Sequence, residues 1–112
     1  MKDDRLNIAY IAECIRKIQL YTQEGKSTFW QNSLIQDGVV RNFEVIGEAT
    51  KNLSAEIKSV YPNVPWRKMA GLRDVLSHNY VGIDLSVVWD VIERDLPDLK
   101  QQIEAISQDL EI

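Results

Sequence analysis

The stretch VVRNFEVIGEATKNLSAEIKSV, residues 39–60, decides the fold class. Core-type residues recur in it at alternating steps of four and three, a seam that one face of a helix presents. These positions are Val39, Phe43, Ile46, Thr50, Leu53, Ile57 and Val60. We therefore predict one long helix that begins at a capping box of Ser33 and Gln36. It should end at Tyr61, because Pro62 disfavours the helical conformation in the residue before it.

The segment before this helix has the same periodicity. A stripe of isoleucines at three- and four-residue steps predicts a first helix over roughly residues 4–24. These are Ile8, Ile11, Ile15 and Ile18. Gly25 is expected to end that helix, and Cys14 should be inert packing beside the stripe.

The second half of the chain predicts further helices. A third helix should run from about Pro65 to the neighbourhood of His78, and Asp84 is a plausible N-cap for a fourth. Pro97 lacks an N–H, so the fourth helix should kink or restart there, with Asp95 as a possible cap. The prediction is an all-α, up-and-down antiparallel bundle of four to five helices, a single domain over residues 1–112.

Composition limits the function classes. Lys and Arg number 13 and Asp and Glu 17, a net charge of −4, which argues against a surface devoted to nucleic acid but leaves room for a local basic site. No stretch approaches the ~18 apolar residues of a membrane helix, and the charged N-terminus is unlike a signal peptide, so a cytoplasmic location is expected. Glu44 and Glu48 lie one turn apart, but a di-iron site would need histidines that this chain lacks. Surface ion pairs are their expected role, and no metal or cofactor is predicted.

The third predicted helix has a charged residue close to its apolar face. Met69, Leu72, Leu76 and Tyr80 fall on a core-facing stripe, and Arg73 lies only about 40° from its centre. A guanidinium so close to an apolar stripe should be costly unless it is paired.

A second side of this helix combines small and polar residues, which is typical of a contact face: Ala70, Gly71, Asp74, Ser77 and His78. Asp74 is four residues from His78 and can fix its tautomer and raise its basicity. His78 is the single histidine, so chemistry that needs two imidazoles must take the second from another chain. The residues alone leave a plain alternative open, in which His78 ends the helix and Arg73 is a surface cation.

The string Arg73-Asp-Val-Leu-Ser-His78-Asn-Tyr80 is an R-x4-H-x-Y sequence that resembles the signature of HEPN ribonucleases, in particular HepT toxins. The likeness covers roughly residues 5–105. It includes a central-helix motif at residues 41–49, a turn at 61–67, the helix from Asp84 to Asp90 and a tail at 95–99.

The resemblance implies a metal-independent endoribonuclease that works as a homodimer, with Arg73 and His78 of both subunits lining a shared cleft. His78 would act as general base or acid on the ribose and leaving oxygens, and Arg73 would stabilise the charge on the phosphate. Asp74 would orient His78, and Asn79 could donate a hydrogen bond to the RNA.

The resemblance also implies a partner, an MntA-like nucleotidyltransferase antitoxin that would transfer AMP to Tyr80. Arg67 and Lys68, one turn before Arg73, are the candidates for extra contacts to RNA phosphates. The alternative from another class is a non-catalytic helical subunit that binds such a nucleotidyltransferase. Trp66 and Trp89 could stack on bases, although aromatic residues at helical spacing are more often core.

Overall fold

The computed structural model describes residues 3–76 and 82–112, and in this part of the chain the fold is all-α. The elements are α1 Asp4–Tyr21, α2 Lys26–Gln31, α3 Ser33–Lys51, α4 Ala55–Val60, α5 Trp66–Ala70, α6 Leu72–Leu76, α7 Leu85–Asp90, a π-helical turn Val91–Asp95 and α8 Leu96–Asp109. The long helices α1 and α3 pack on each other, α8 packs on α1, and the short α5 and α6 pack on α3. This arrangement confirms the predicted helical bundle.

The core lies between the long helices. The isoleucine stripe of α1 is buried, as predicted, and it meets Phe43 and Ile46 of α3 together with Ile103 and Ile106 of α8 in one apolar cluster. Full burial of each such side chain stabilises the fold by about 1.5–3 kcal/mol. Cys14 belongs to the same cluster, and burial raises the pKa of its thiol, which fits the predicted role as inert packing. None of the described helices is both long and apolar enough to cross a membrane.

The first helix is shorter than predicted. Asp3 caps its N-terminus by accepting the N–H of Leu6, and the helix ends at Tyr21 rather than at residue 24. The hydroxyl of Thr22 donates to the carbonyl of Ile18 at 2.7 Å, in a turn that leads to Gly25. Gly25 has φ +93°, a conformation that glycine adopts without strain, and it opens α2.

The predicted capping box of Ser33 and Gln36 is wrong. Asn32 is the N-cap, because its side-chain oxygen accepts the N–H of Ile35 at 3.1 Å, and Ser33 is already inside the helix. Gln36 instead donates to the carbonyl of Phe29 at 3.0 Å and so ties α3 back to α2. Asn and Ser are about equally favourable N-caps, so residue preference does not choose between Asn32 and Ser33. The geometry of the α2–α3 connection places Asn32 at the cap.

The single long helix predicted up to Tyr61 is also wrong, because α3 ends at Lys51 and α4 begins at Ala55. Ser54 starts α4 by accepting the N–H of Ile57. The carboxylate of Asp4 accepts both the N–H and the hydroxyl of Ser54, at 2.8 and 2.6 Å. This contact from the distant start of α1 fixes Ser54 in an extended conformation, which a periodicity argument cannot detect.

The last part of the bundle follows its prediction in outline. Asp84 caps α7 by accepting the N–H groups of Ser86 and Val87, as predicted. Before Pro97 the helix widens into the π-helical turn, where the N–H of Leu96 donates to the carbonyl of Val91 five residues back, and α8 begins at Leu96, the restart that was predicted. A wider turn accommodates a proline that cannot donate and whose ring would meet the preceding turn. Asp95 occupies the predicted N-cap position of α8, but its side chain makes no capping bond.

Candidate functional site

The site region is built on the contact of α5 with α3. Gly47 lies in the middle of α3, and a Cβ atom there would be 3.3 Å from the carbonyl oxygen of Met69 and 3.5 Å from that of Ala70. The absence of a side chain therefore lets the α5 backbone rest directly on α3. Met69 itself is buried beside Phe43 in the core.

The third helix is two short helices rather than one. Gly71 separates α5 from α6, with φ −97° and ψ +20° outside the helical region. The predicted core positions Met69, Leu72 and Leu76 are all buried. Trp66 starts α5 and is held by a bond of 2.9 Å from its indole N–H to the carbonyl of Tyr61.

Arg73 and Asp74 lie next to each other on α6, and both are exposed. Arg73 was expected close to the apolar stripe, where an unpaired guanidinium would be costly. The side chain is instead exposed to solvent, so that cost does not arise.

The other motif residues lie outside the described residues. This holds for His78, Asn79 and Tyr80, as it does for their neighbours Ser77 and Val81, so the predicted Asp74–His78 contact stays a prediction. The residues that flank this segment are described. The N–H of Asp84 donates to the carbonyl of Leu76 at 2.8 Å, so the end of α6 lies beside the residue that caps α7.

The two basic residues of α5 differ in their surroundings. Arg67 is exposed, and its side chain makes no hydrogen bond or ion pair with another residue of the described ranges. The Nζ atom of Lys68 lies 3.1 Å from Oδ2 of Asp95, at the end of the π-helical turn. The charge of Lys68 is thus already partnered, by a residue 27 positions away that no sequence pattern connects to it.

The tryptophans divide into core and surface. Trp66 and Trp89 are only 9% and 7% exposed, so the predicted option of stacking on bases is wrong for both in this fold. Trp89 packs on Phe29 with ring centroids 5.2 Å apart. The surface tryptophan is Trp30, 45% exposed, with the Lys26 ammonium 6.0 Å from its ring centroid. The four-residue spacing of Lys26 and Trp30 on α2 was the sequence signal that could have identified this pair.

The two acidic residues of α3 differ in their surroundings, and Glu48 is the exposed one. Glu48 pairs with Lys51 at 3.4 Å, one of the ion pairs that the sequence predicted. Glu44 is half-buried and lines a depression of about 480 Å³ with Val40 and Ile83. Within residues 3–76 and 82–112, no three His, Cys, Asp or Glu side chains are grouped so as to hold a metal ion.

An all-α bundle that exposes an arginine at the start of an R-x4-H-x-Y segment is the architecture expected of a HEPN-type ribonuclease. The family described as Ribonuclease HepT-like matches residues 11–106. The chain therefore belongs to the HepT-like ribonuclease family.

Curated relatives agree with this assignment. A Thermococcus cleftensis protein named "Probable ribonuclease HepT" is 40% identical over 88% of this chain and 90% of its own length. The "mRNA nuclease HepT" of Shewanella oneidensis is 28% identical over 96% of this chain and 98% of its own length. No solved structure matches the chain.

One relative is much longer. A Methanocaldococcus jannaschii protein named "Gamma-glutamylcyclotransferase and putative RNase" is 38% identical over 98% of this chain, but the chain spans only about half, 50%, of that protein. A sequence similar to this chain thus also occurs as part of a longer polypeptide.

Proposed function

We propose that this chain is the toxin of a toxin–antitoxin pair and that it cuts RNA without a metal ion, at a site shared by two copies of the chain. The observation that carries the proposal is the match to the ribonuclease family over residues 11–106, a span that contains Arg73 and His78. The exposure of Arg73 supports it, since a phosphate ligand must reach the guanidinium from solvent.

The reaction we propose is an internal transfer at phosphorus. His78 takes the proton of a ribose 2′-OH, and the 2′-oxygen attacks the adjacent phosphorus. The bond from phosphorus to the 5′-oxygen breaks, and that oxygen receives a proton from the partner subunit's His78. The products are a 2′,3′-cyclic phosphate and a 5′-hydroxyl, and no water is consumed in this step.

Other residues support the two catalytic groups in this proposal. Arg73 binds the scissile phosphate and stabilises the extra negative charge of the transition state. Asp74, next to Arg73 on α6, orients His78, and Asn79 donates to the phosphate or sugar. Arg67 is a contact to a flanking phosphate, and Lys68 can be another only after it leaves Asp95.

A homodimer is part of the proposal because each chain has one histidine, while the reaction uses a base and an acid. Two copies supply the two imidazoles if their Arg73–His78 segments meet. RNA is abundant in the cytoplasm, and we propose that the chain acts there.

We further propose that a nucleotidyltransferase antitoxin inactivates the chain by AMPylation of Tyr80. The phenolic oxygen would attack the α-phosphorus of ATP, pyrophosphate would leave, and the phenolic proton would pass to solvent. An added phosphodiester and base beside His78 would repel and block RNA. Mass spectrometry after incubation with ATP and the antitoxin tests this. An AMP-sized gain that is lost in Tyr80→Phe is expected, and the absence of any gain contradicts it.

The experiment that tests the nuclease itself is digestion of a single-stranded RNA in the presence of a chelator, with analysis of the new ends. Wild type should give cyclic phosphate ends. Arg73→Ala should cut at least about 100-fold more slowly, since oxyanion donors contribute on that scale. Arg16→Ala is the matched control, because Arg16 is also an exposed helix arginine and lies on α1, outside the proposed site, where it pairs with Glu13. Equal cleavage by Arg73→Ala and Arg16→Ala would contradict the proposal and favour the alternative, a non-catalytic subunit that binds a nucleotidyltransferase.

A further inference from the structure

The ion pair of Lys68 and Asp95 joins two elements that the sequence separates. Lys68 belongs to α5, the helix that also carries Arg67, and Asp95 ends the π-helical turn before α8. Their charged atoms are 3.1 Å apart, and the side chains are 50% and 47% exposed. The pair is thus a surface contact that solvent and other ions can reach.

The pair lies at the rim of a groove of about 330 Å³ between α3, α5 and α8. The floor is apolar and includes Phe43, Met69 and Leu99. Asp98, one turn beyond Asp95, lines the same groove. This side of α5 therefore presents one cation against two carboxylates, and an RNA backbone would meet no excess of positive charge there.

The backbone holds Asp95 in place for this contact. Helix continues on both sides of it, from the π-helical turn into α8, and its neighbour Leu96 is buried in the core. Pro97 requires the wider turn, since its ring would clash with a regular one. Val91, at the start of that turn, and Asp95, at its end, both line the groove, so the fold directs this carboxylate toward α5.

We propose that Asp95 is an affinity-determining residue for RNA, because it occupies Lys68 and keeps that ammonium from binding phosphate. This inference rests on the proposed ribonuclease function. Lys68 then adds a phosphate contact only when Asp95 releases it, while Arg67, which has no such partner among the described residues, contributes at all times. Exposed ion pairs are weak, so the effect is a modulation of RNA affinity and not an on–off switch.

The test is a double-mutant cycle on RNA binding. The probe is a fluorescent 2′-O-methyl RNA oligonucleotide, which lacks the attacking hydroxyl and stays intact, titrated with the full chain at several salt concentrations. Asp95→Asn should bind about two- to five-fold more tightly at low salt, the scale of an exposed ion pair. Its plot of log affinity against log salt should steepen by about 0.7, the change for one added contact to single-stranded nucleic acid.

Two further variants make the result specific. Asp98→Asn removes the same charge from the same rim without freeing a lysine, so its salt slope should equal that of wild type. In the double variant Lys68→Gln/Asp95→Asn the gain should disappear. A gain that survives in the double variant, or equal effects of Asp95→Asn and Asp98→Asn, would overturn the inference.

The outcomes also separate this inference from the function on which it rests. A wild-type chain that cleaves RNA and binds the probe, combined with no difference between Asp95→Asn and Asp98→Asn, overturns only the role of Asp95. A wild-type chain that neither binds the probe at low salt nor cleaves RNA overturns both.

Discussion

The N–H of Asp84 donates to the carbonyl oxygen of Leu76 at 2.8 Å and so joins the end of α6 to the start of α7. The same Asp84 caps α7 with its side chain, accepting from Ser86 at 2.9 Å. One residue thus links the two helices and fixes where α7 begins.

Replacement of Asp84 by alanine should therefore reduce stability. The loss of an N-cap acceptor costs about 0.5–2 kcal/mol, which urea denaturation measures as a lower midpoint with an unchanged slope. Asp84→Asn is the matched control, because the asparagine amide oxygen can accept the same hydrogen bonds. If Asp84→Asn were as unstable as Asp84→Ala, the capping bond would not be the reason.

Gly47 and Gly38 offer a second matched pair, both in α3. Alanine is favoured over glycine in a helix by about 1 kcal/mol. At Gly47 the new Cβ would press on the Met69 carbonyl at 3.3 Å, a backbone atom that cannot turn away, so Gly47→Ala should be destabilising. At Gly38 the contact at 3.3 Å is with the partly exposed Tyr21 ring, which can rotate, so Gly38→Ala should be neutral or stabilising. Thermal unfolding of both variants decides, and a stabilised Gly47→Ala would contradict the close contact of α3 and α5.

The two buried tryptophans predict unequal costs for the same substitution. Trp66 donates its indole N–H to Tyr61, whereas the indole N–H of Trp89 is buried and has no partner within the described ranges. Trp66→Phe loses a hydrogen bond, and Trp89→Phe removes an unsatisfied donor. We expect Trp66→Phe to lose about 1 kcal/mol more free energy of unfolding. Equal losses, or a larger loss at Trp89, would show that the hydrogen bond of Trp66 adds no measurable stability and that lost packing sets the cost of each substitution.

Cys14 should label slowly in the native chain. Burial raises the pKa of this thiol, and the reactive thiolate is correspondingly rare. Burial disfavours the thiolate in the folded state but not in the unfolded state. The free energy of unfolding is therefore unaffected by ionisation of Cys14 below the ordinary pKa near 8.5. It falls as the pH rises from there through the higher pKa of the folded state. Labelling should therefore follow unfolding, and Cys14→Ala should lose less stability than wild type between pH 8 and 10. Rapid labelling of the native chain would contradict the burial.

The periodic parts of the sequence predicted the fold well. Apolar residues at helical spacing form one face of a helix, and burial of these faces against each other forms the core of the bundle. The isoleucines of α1 and the seam residues of α3 are buried where the spacing placed them, whereas Val60, the last position of the predicted seam, is 64% exposed. The helix boundaries depend on partners distant in sequence. Asp4 holds Ser54 and so divides the predicted long helix. The two residues are 50 positions apart in the sequence, farther than a local periodicity argument extends.

The family was predictable from the sequence, but the surroundings of the basic residues near its motif were not. The R-x4-H-x-Y spacing and its flanking motifs led to the family to which the chain belongs. The exposure of Arg73 was missed because a helical wheel gives the direction of a side chain and not how far a long one extends into solvent. The pairing of Lys68 was missed because Asp95 meets it only through the turn that Pro97 requires.

The central claim, that His78 performs the proton transfers of RNA cleavage, is tested most directly by the cleavage rate of His78→Ala. Purified wild type and His78→Ala should show the same helical content and unfolding midpoint. The variant should cut a single-stranded RNA at least about 100-fold more slowly, the scale of general acid–base catalysis. Cleavage by a nuclease-free His78→Ala preparation at the wild-type rate would contradict the account.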